Sequence, residues 1–147
     1  MTGWVYEYVK KLNLSGHTLE VGSYDENGSV RDLFTDYIGV DIRAGKNVNI
    51  QMDGHKLEFP DEAFDNVLSL ESLEHDEAFW VTVSEMKRVL KKGGVMVLTV
   101  PWFHFPPHEY PKDYWRFSDD GLRVLFVPLW VQKIERFQNS LMGHAVK

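Results

Sequence analysis

Cysteine is absent from the chain, which removes disulfides, thiolate zinc sites and cysteine nucleophiles from consideration. No apolar run approaches the roughly 18 residues that a membrane-crossing helix needs. Met1 to Lys11 also lacks the unbroken apolar stretch of a secretory signal. The expectation is a soluble, cytoplasmic protein with no membrane partner. An excess of basic residues is missing too. The formal charge of -6 argues against a general binder of nucleic-acid backbone. There is no internal repeat, low-complexity tract or linker, so residues 1–147 are read as a single domain.

What is present centres on Thr18-Leu19-Glu20-Val21-Gly22-Ser23, a short apolar run with one acid that stops at a glycine. An acidic turn, Tyr24-Asp25-Glu26-Asn27, leads to Gly28 and an amphipathic segment expected to be helical to about Thr35. Strand, tight loop and helix in this order are the first unit of an open α/β sheet, with a ligand crevice beyond the strand's carboxyl end. Acids in that loop disfavour a bound pyrophosphate and favour a cation or an amino-bearing, hydroxyl-rich ligand.

Before this unit, Trp4, Val5, Tyr8, Val9 and Leu12 repeat at helical spacing. After it come apolar runs at 37–41, 48–52 and 64–70, followed by a helical pattern from Asp76 that Gly93-Gly94 is expected to stop. Val95 to Val100 is almost unbroken apolar, as in a central strand covered on both faces. Residues 102–117 form a long loop rich in proline and aromatics, of the kind that usually serves a site. Ser118 then caps a helix to Phe126, and 129–137 reads as a last strand. The fold class is therefore α/β: Rossmann-like, mainly parallel, with helices on both faces, and truncated at the C-terminal hairpin. An edge left open by that truncation would need cover, and a homodimer is one way to supply it. Glu20, Asp41, Asp53 and Glu71 each fall at or just past a strand end, so four carboxylates would line one crevice. Singly, each also reads as a cap of the turn that follows.

On these residues the chain resembles the class I S-adenosylmethionine-dependent methyltransferases. The likeness runs from about Leu19 to Phe126. It is carried by Leu19-Glu20-Val21-Gly22-Ser23, Asn27-Gly28-Ser29-Val30-Arg31, Gly39-Val40-Asp41, Asp53-Gly54-His55, Phe64-Asp65, Glu71-Ser72-Leu73-Glu74-His75 and Glu85 to Gly94. The resemblance implies S-adenosyl-L-methionine as cofactor. It implies that Glu20, Gly22, Ser23 and Tyr24 hold the methionine end, and that Asp41 takes both ribose hydroxyls. Ile42 would pack on adenine, Asp53 would reach its amino group and Gly54 would donate backbone. Glu71 and Ser72 would lie beneath the cofactor where the substrate enters. The glycine spacing departs from the family's usual one, with Gly22 and Gly28 separated by five residues.

Methyl transfer from a sulfonium is an in-line displacement that needs alignment and dryness rather than a nucleophilic side chain. A base helps only where the acceptor must lose a proton. His104, His108, Glu109, Tyr110, Asp113 and Tyr114 are the candidates, with His108 placed ahead of His104 because a neutral imidazole is available near pH 7. Trp102, Tyr114 and Arg116 are expected at the substrate, although Arg116 reads equally well as a structural partner of Asp113 or Asp119. Pro106-Pro107 breaks any helix that would put His104 and His108 on one face, so no metal is expected. The acceptor reads as a small molecule or glycan rather than nucleic acid. Two other functions fit less of the pattern. One is a cofactor-binding but catalytically silent scaffold. The other is a nicotinamide oxidoreductase, which Asp41 would suit but the missing G-x-G-x-x-G does not.

Overall fold

The structure is a computed structural model and describes residues 3–26, 28–108 and 111–147. Asn27 of the first turn, and Glu109 and Tyr110 among the possible bases, lie outside the described residues.

Seven strands form one sheet: β1 (Thr18–Val21), β2 (Tyr37–Asp41), β3 (Ile50–Gln51), β4 (Phe64–Leu70), β5 (Leu90–Pro101), β6 (Trp130–Phe137) and β7 (Ser140–Val146). Their spatial order is β3-β2-β1-β4-β5-β7-β6. The first five run parallel, and β7 pairs antiparallel with both β5 and β6. The order reverses between β1 and β4, where chains leave toward opposite sides and open a crevice at the carboxyl ends.

Helices cover both faces. On one, α1 (Gly3–Leu12) buries Val5, Tyr8 and Val9 against Leu68, Leu70, Val97 and Met142. On the other, α2 (Phe79–Val89) and α3 (Asp119–Phe126) bury Val83, Met86, Val89, Leu122 and Phe126 against Val67, Met96, Leu98 and Val100. Alternate residues of β5 thus serve opposite cores, which is why its sequence is apolar without a break. Ser118 caps α3 by accepting the Gly121 amide at 3.0 Å.

The helix expected from Gly28 to Thr35 is a single 3-10 turn, Arg31–Leu33. Side chains there are drawn outward instead, with Arg31 reaching Asn49 at 2.9 Å and Asp32 accepting the Tyr6 hydroxyl at 2.9 Å. The helix expected to reach Gly93 stops at Val89, because Leu90 already pairs with Phe64 in the sheet.

The expected truncation is overturned. Residues 130–146 form the complete antiparallel hairpin, and β7 fills the place beside β5. The open edge that motivated a homodimer is therefore closed from within the chain. No helix among the described residues is long and apolar enough to cross a membrane.

Candidate active site

A cavity of about 1040 Å³ lies across the carboxyl ends of β1, β2 and β4. Its position follows from the sheet, since each parallel strand delivers its last residue to the same edge. Gly22 makes the first turn possible: at φ +78 a side chain is strained, and a Cβ would come within 1.9 Å of Ser72 Oγ. The Gly22 and Ser23 amides both donate to the Val40 carbonyl, at 2.9 and 3.0 Å, so the turn is held down onto β2.

Glu20 is 3% exposed. Its Oε2 accepts the Tyr37 hydroxyl at 2.6 Å, and that hydroxyl in turn accepts from Asn47 Nδ2 at 2.9 Å. Burial pushes the Glu20 carboxyl up to about 7, against the opposing pull of the Tyr37 hydrogen bond. Stability from its protonated form is complete below the unfolded value of 4.5 and is lost as pH climbs through about 7. The loss is on the order of 3 kcal/mol. Glu20→Gln, without ligand, is therefore expected to melt close to wild type near pH 5 and several degrees above it near pH 8. Thermal melts at the two pH values check this.

Asp41 accepts the Arg43 amide at 2.8 Å on one carboxylate oxygen and the Tyr24 amide at 3.2 Å on the other. These bonds fix the carboxylate's plane and leave lone pairs on both oxygens for further donors. Beside it Ile42 stands 66% exposed on the cavity wall, an aliphatic surface with nothing against it. Asp53 lies at the rim, where its Oδ1 accepts the His55 amide at 2.9 Å, and Gly54 follows it along the wall.

The acids of the loop after β1 are both ion-paired; Asp25 is off the cavity wall, whereas Glu26 is on it. Asp25 pairs with Lys46 at 2.8 Å and Glu26 with Arg43 at 2.9 Å, while the Arg43 guanidinium lies 4.1 Å from the Tyr24 ring centroid. These contacts tie the loop after β1 to the loop after β2. The negative charge facing the cavity comes from the strand ends, from Glu26 and from the segment after β4.

That segment, Glu71 to Glu77, forms the cavity floor. Glu71 has φ +51, and its amide donates to the Thr99 carbonyl and hydroxyl, both at 3.0 Å. Burial raises its carboxyl to about 7, and its Oε1 is buried without a hydrogen-bond partner among the described residues. Glu74 is 1% exposed with Oε2 likewise unpartnered, and burial together with the Glu71 charge holds it well above the usual carboxylate range. An unmet buried acceptor costs about 1–3 kcal/mol, and two such oxygens lie in the segment that forms the cavity floor.

Of the bases, His108 lines the cavity; its Nδ1 lies 3.2 Å from Asp113 Oδ2, and its backbone amide donates to the same oxygen at 2.6 Å. His104 is not on the cavity. It is exposed, with its ring centroid 4.5 Å from that of Trp102 and 4.1 Å from that of Phe103. Trp102 and Arg116 are not on the wall either, whereas Tyr114 and Ser72 are. The Arg116 guanidinium is used up inside the loop. It forks onto both Asp113 oxygens at 2.5 Å and donates to the carbonyls of Phe105 at 2.8 Å and Pro106 at 2.9 Å. That pairing holds Asp113 down to about 2. The wall also contains residues outside the sequence reading, namely Trp4 of α1 and Gln138, Asn139 and Ser140 of the last turn. A sequence reading that completes the hairpin would have found the last three. Among the described residues no group of three or more histidines and acids is arranged to hold a metal ion.

Comparison with known proteins bears on this geometry. A family profile described as "Methyltransferase domain" matches residues 19–98, more than half of the chain. The chain belongs to this methyltransferase family. It is an S-adenosylmethionine-dependent methyltransferase, and its cofactor is S-adenosylmethionine. No curated protein matches it significantly. Among solved structures it is similar to a Thermotoga maritima S-adenosylmethionine-dependent methyltransferase described as a possible histamine N-methyltransferase. The identity is 17% and the TM-score 0.76, over 97% of this chain and 87% of that one. It is similar to the 1,6-didemethyltoxoflavin-N1-methyltransferase of Burkholderia thailandensis, solved with its substrate and S-adenosylhomocysteine. There the identity is 15% and the TM-score 0.77, over 97% of this chain and 76% of that one. A third is a methyltransferase of Haloferax volcanii in complex with the Trm112 activator, at 17% identity and TM-score 0.71 over 97% and 88%. The residues present fit the methyltransferase cofactor: an acidic trough suits its two positive charges, Asp41 offers two acceptors, and Ile42 offers a bare apolar surface.

Proposed function

We propose that this methyltransferase acts on a small-molecule acceptor by in-line displacement, within the single domain that the sequence describes and in the cytoplasm. The observation that carries the proposal is the convergence of Glu20, Asp41, Asp53 and Glu71 on one cavity whose far side still has room for an acceptor. When bound, the cofactor supplies the electrophilic methyl group. The protein's part is to hold, orient and dry.

Glu20 and the turn at Gly22 to Tyr24 would take the amino-acid end, Asp41 the ribose hydroxyls, Ile42 the adenine face, and Asp53 with Gly54 the adenine edge. Phe105, Pro111 and Tyr114 line the acceptor side, where they would limit the access of water. The Tyr114 hydroxyl donates to Glu77 at 2.6 Å, its amide to the Glu74 carbonyl at 2.8 Å, Trp115 Nε1 to the Asp76 carbonyl at 2.8 Å and His75 Nδ1 to the Lys112 carbonyl at 2.9 Å, so the loop is fastened to the floor. His108, half-exposed at the rim, would carry an acceptor's proton away.

Calorimetric titration with S-adenosylhomocysteine tests the reading. A single saturable site accompanied by a rise in melting temperature is expected. No heat and no shift at millimolar ligand would refute it.

A further inference from the structure

From the floor of the cavity we infer that the acceptor is an amine, recognised as its ammonium by Glu71 and Glu74 and methylated on nitrogen. The inference rests on the methyl-transfer reading above and extends it to a substrate class.

Glu71 and Glu74, each with a buried oxygen unpartnered among the described residues, belong to the segment after β4 that forms the cavity floor. The charged and titratable groups nearest them are Arg116, Asp113 and His75, with His108 and Glu26 acting in turn on His75. Arg116 is committed to both oxygens of Asp113. His75 donates from Nδ1 to the Lys112 carbonyl at 2.9 Å, which leaves Nε2 as a lone pair 3.6 Å from Glu74 Oε1. Thr99 and Ser140 offer Glu71 hydroxyl donors, whereas among the described residues the cation acting on the pair, Arg116, is already committed to Asp113. A ligand ammonium supplies three donors and the missing positive charge, which neither a hydroxyl nor a carboxylate does. Burial favours such a ligand further, because the charge-assisted bond forms away from water.

The chemistry balances. The bound ammonium passes one N–H proton to the Glu74 carboxylate, which becomes a carboxylic acid beside the His75 lone pair. The freed nitrogen pair attacks the methyl carbon; a C–N bond forms as the C–S bond breaks, and those electrons stay on sulfur. The products are a methylated ammonium and S-adenosylhomocysteine, and the proton on Glu74 leaves past His75 and His108 to solvent. A carboxyl raised toward neutrality by burial is suited to hold that proton briefly.

The test uses the full chain saturated with S-adenosylhomocysteine and three probes of matched shape: phenethylamine, 2-phenylethanol and 3-phenylpropionate. A set of primary aliphatic amines is titrated alongside. At least one amine is expected to bind about tenfold or more tighter than the alcohol and the acid near pH 8. The preference should fade toward pH 5 as the two carboxyls take up protons while the amine stays charged. Glu74→Gln should abolish the preference and leave S-adenosylhomocysteine affinity within about threefold of wild type. Glu71→Gln should weaken amine binding as well, which guards against misreading one unfolded variant. Three results overturn the inference and leave the methyl-transfer reading standing: cofactor product binds but no amine does, the alcohol or acid binds as well as the amine, or both variants keep the preference. Failure of S-adenosylhomocysteine itself to bind removes both.

Discussion

Asp41→Ala is expected to raise the dissociation constant for S-adenosylhomocysteine at least about 100-fold, since two charge-assisted hydrogen bonds of roughly 1.5–3 kcal/mol each are lost. Asp41 is the residue proposed here to hold the ribose. Its plane is set by the Tyr24 and Arg43 amides, so the carboxylate is presented ready-made and little ordering is left for binding to accomplish. Asp41→Asn keeps one acceptor and should fall between the variant and wild type. Asp53→Ala, at an exposed rim position, should cost about tenfold or less. Isothermal titration of the three variants ranks them directly. An Asp41→Ala protein that binds within threefold of wild type would show that the ribose lies elsewhere.

The second large effect belongs to stability. Asp113 is 1% exposed, and Arg116 is its forked partner. Removing the guanidinium strands a buried carboxylate and releases the Phe105 and Pro106 carbonyls, a loss of about 3–5 kcal/mol. Arg116→Ala should lower the melting temperature by 10 °C or more, roughly, and open residues 102–117 to proteolysis. Arg116→Lys restores charge without the fork and should recover only part of the loss. The pair's contribution is present above Asp113's ordinary value of 3.8 and is lost as pH falls through about 2. The gap between wild type and variant should therefore narrow in strong acid. Equal melting temperatures at pH 7 would sink the assignment of Arg116 as the loop's internal clamp.

The strand ends were legible because their pattern is local. β1, β2, β4 and β5 announce themselves as apolar runs, and an acid after such a run is visible without knowing what it faces. Pairings between loops were not. Nothing in Tyr24-Asp25-Glu26 says that Arg43 and Lys46 arrive to neutralise it, and so the acidity of that turn was assigned to the ligand. Gly28 to Thr35 has the spacing of a helix, but its polar side chains find partners in Asn49 and Tyr6 that no periodicity reveals. The hairpin was missed for a packing reason. Ser140-Leu141-Met142-Gly143-His144-Ala145-Val146 does not alternate cleanly, since Gly143 is where a Cβ would stand 2.8 Å from the Phe126 ring. His144, on the opposite face, is occupied by the Tyr8 hydroxyl at 2.8 Å. Losing the hairpin meant losing Gln138 to Ser140 from the cavity. Arg116 shows the converse limit, since its type suggested a substrate contact and only coordinates reveal how completely its donors are spent.

The strand order carries a consequence for how the molecule is assembled. β7 is the last strand in sequence, yet it sits inside the sheet, and β6 reaches the rest of the sheet only through it. A growing polypeptide that has reached Phe137 has a long apolar β5 with one flank bare and a neighbouring strand that has nowhere to dock. The pair must arrive together, as one folded unit, to close that flank. Until then the partly folded chain offers the kind of sticky border that other chains can join.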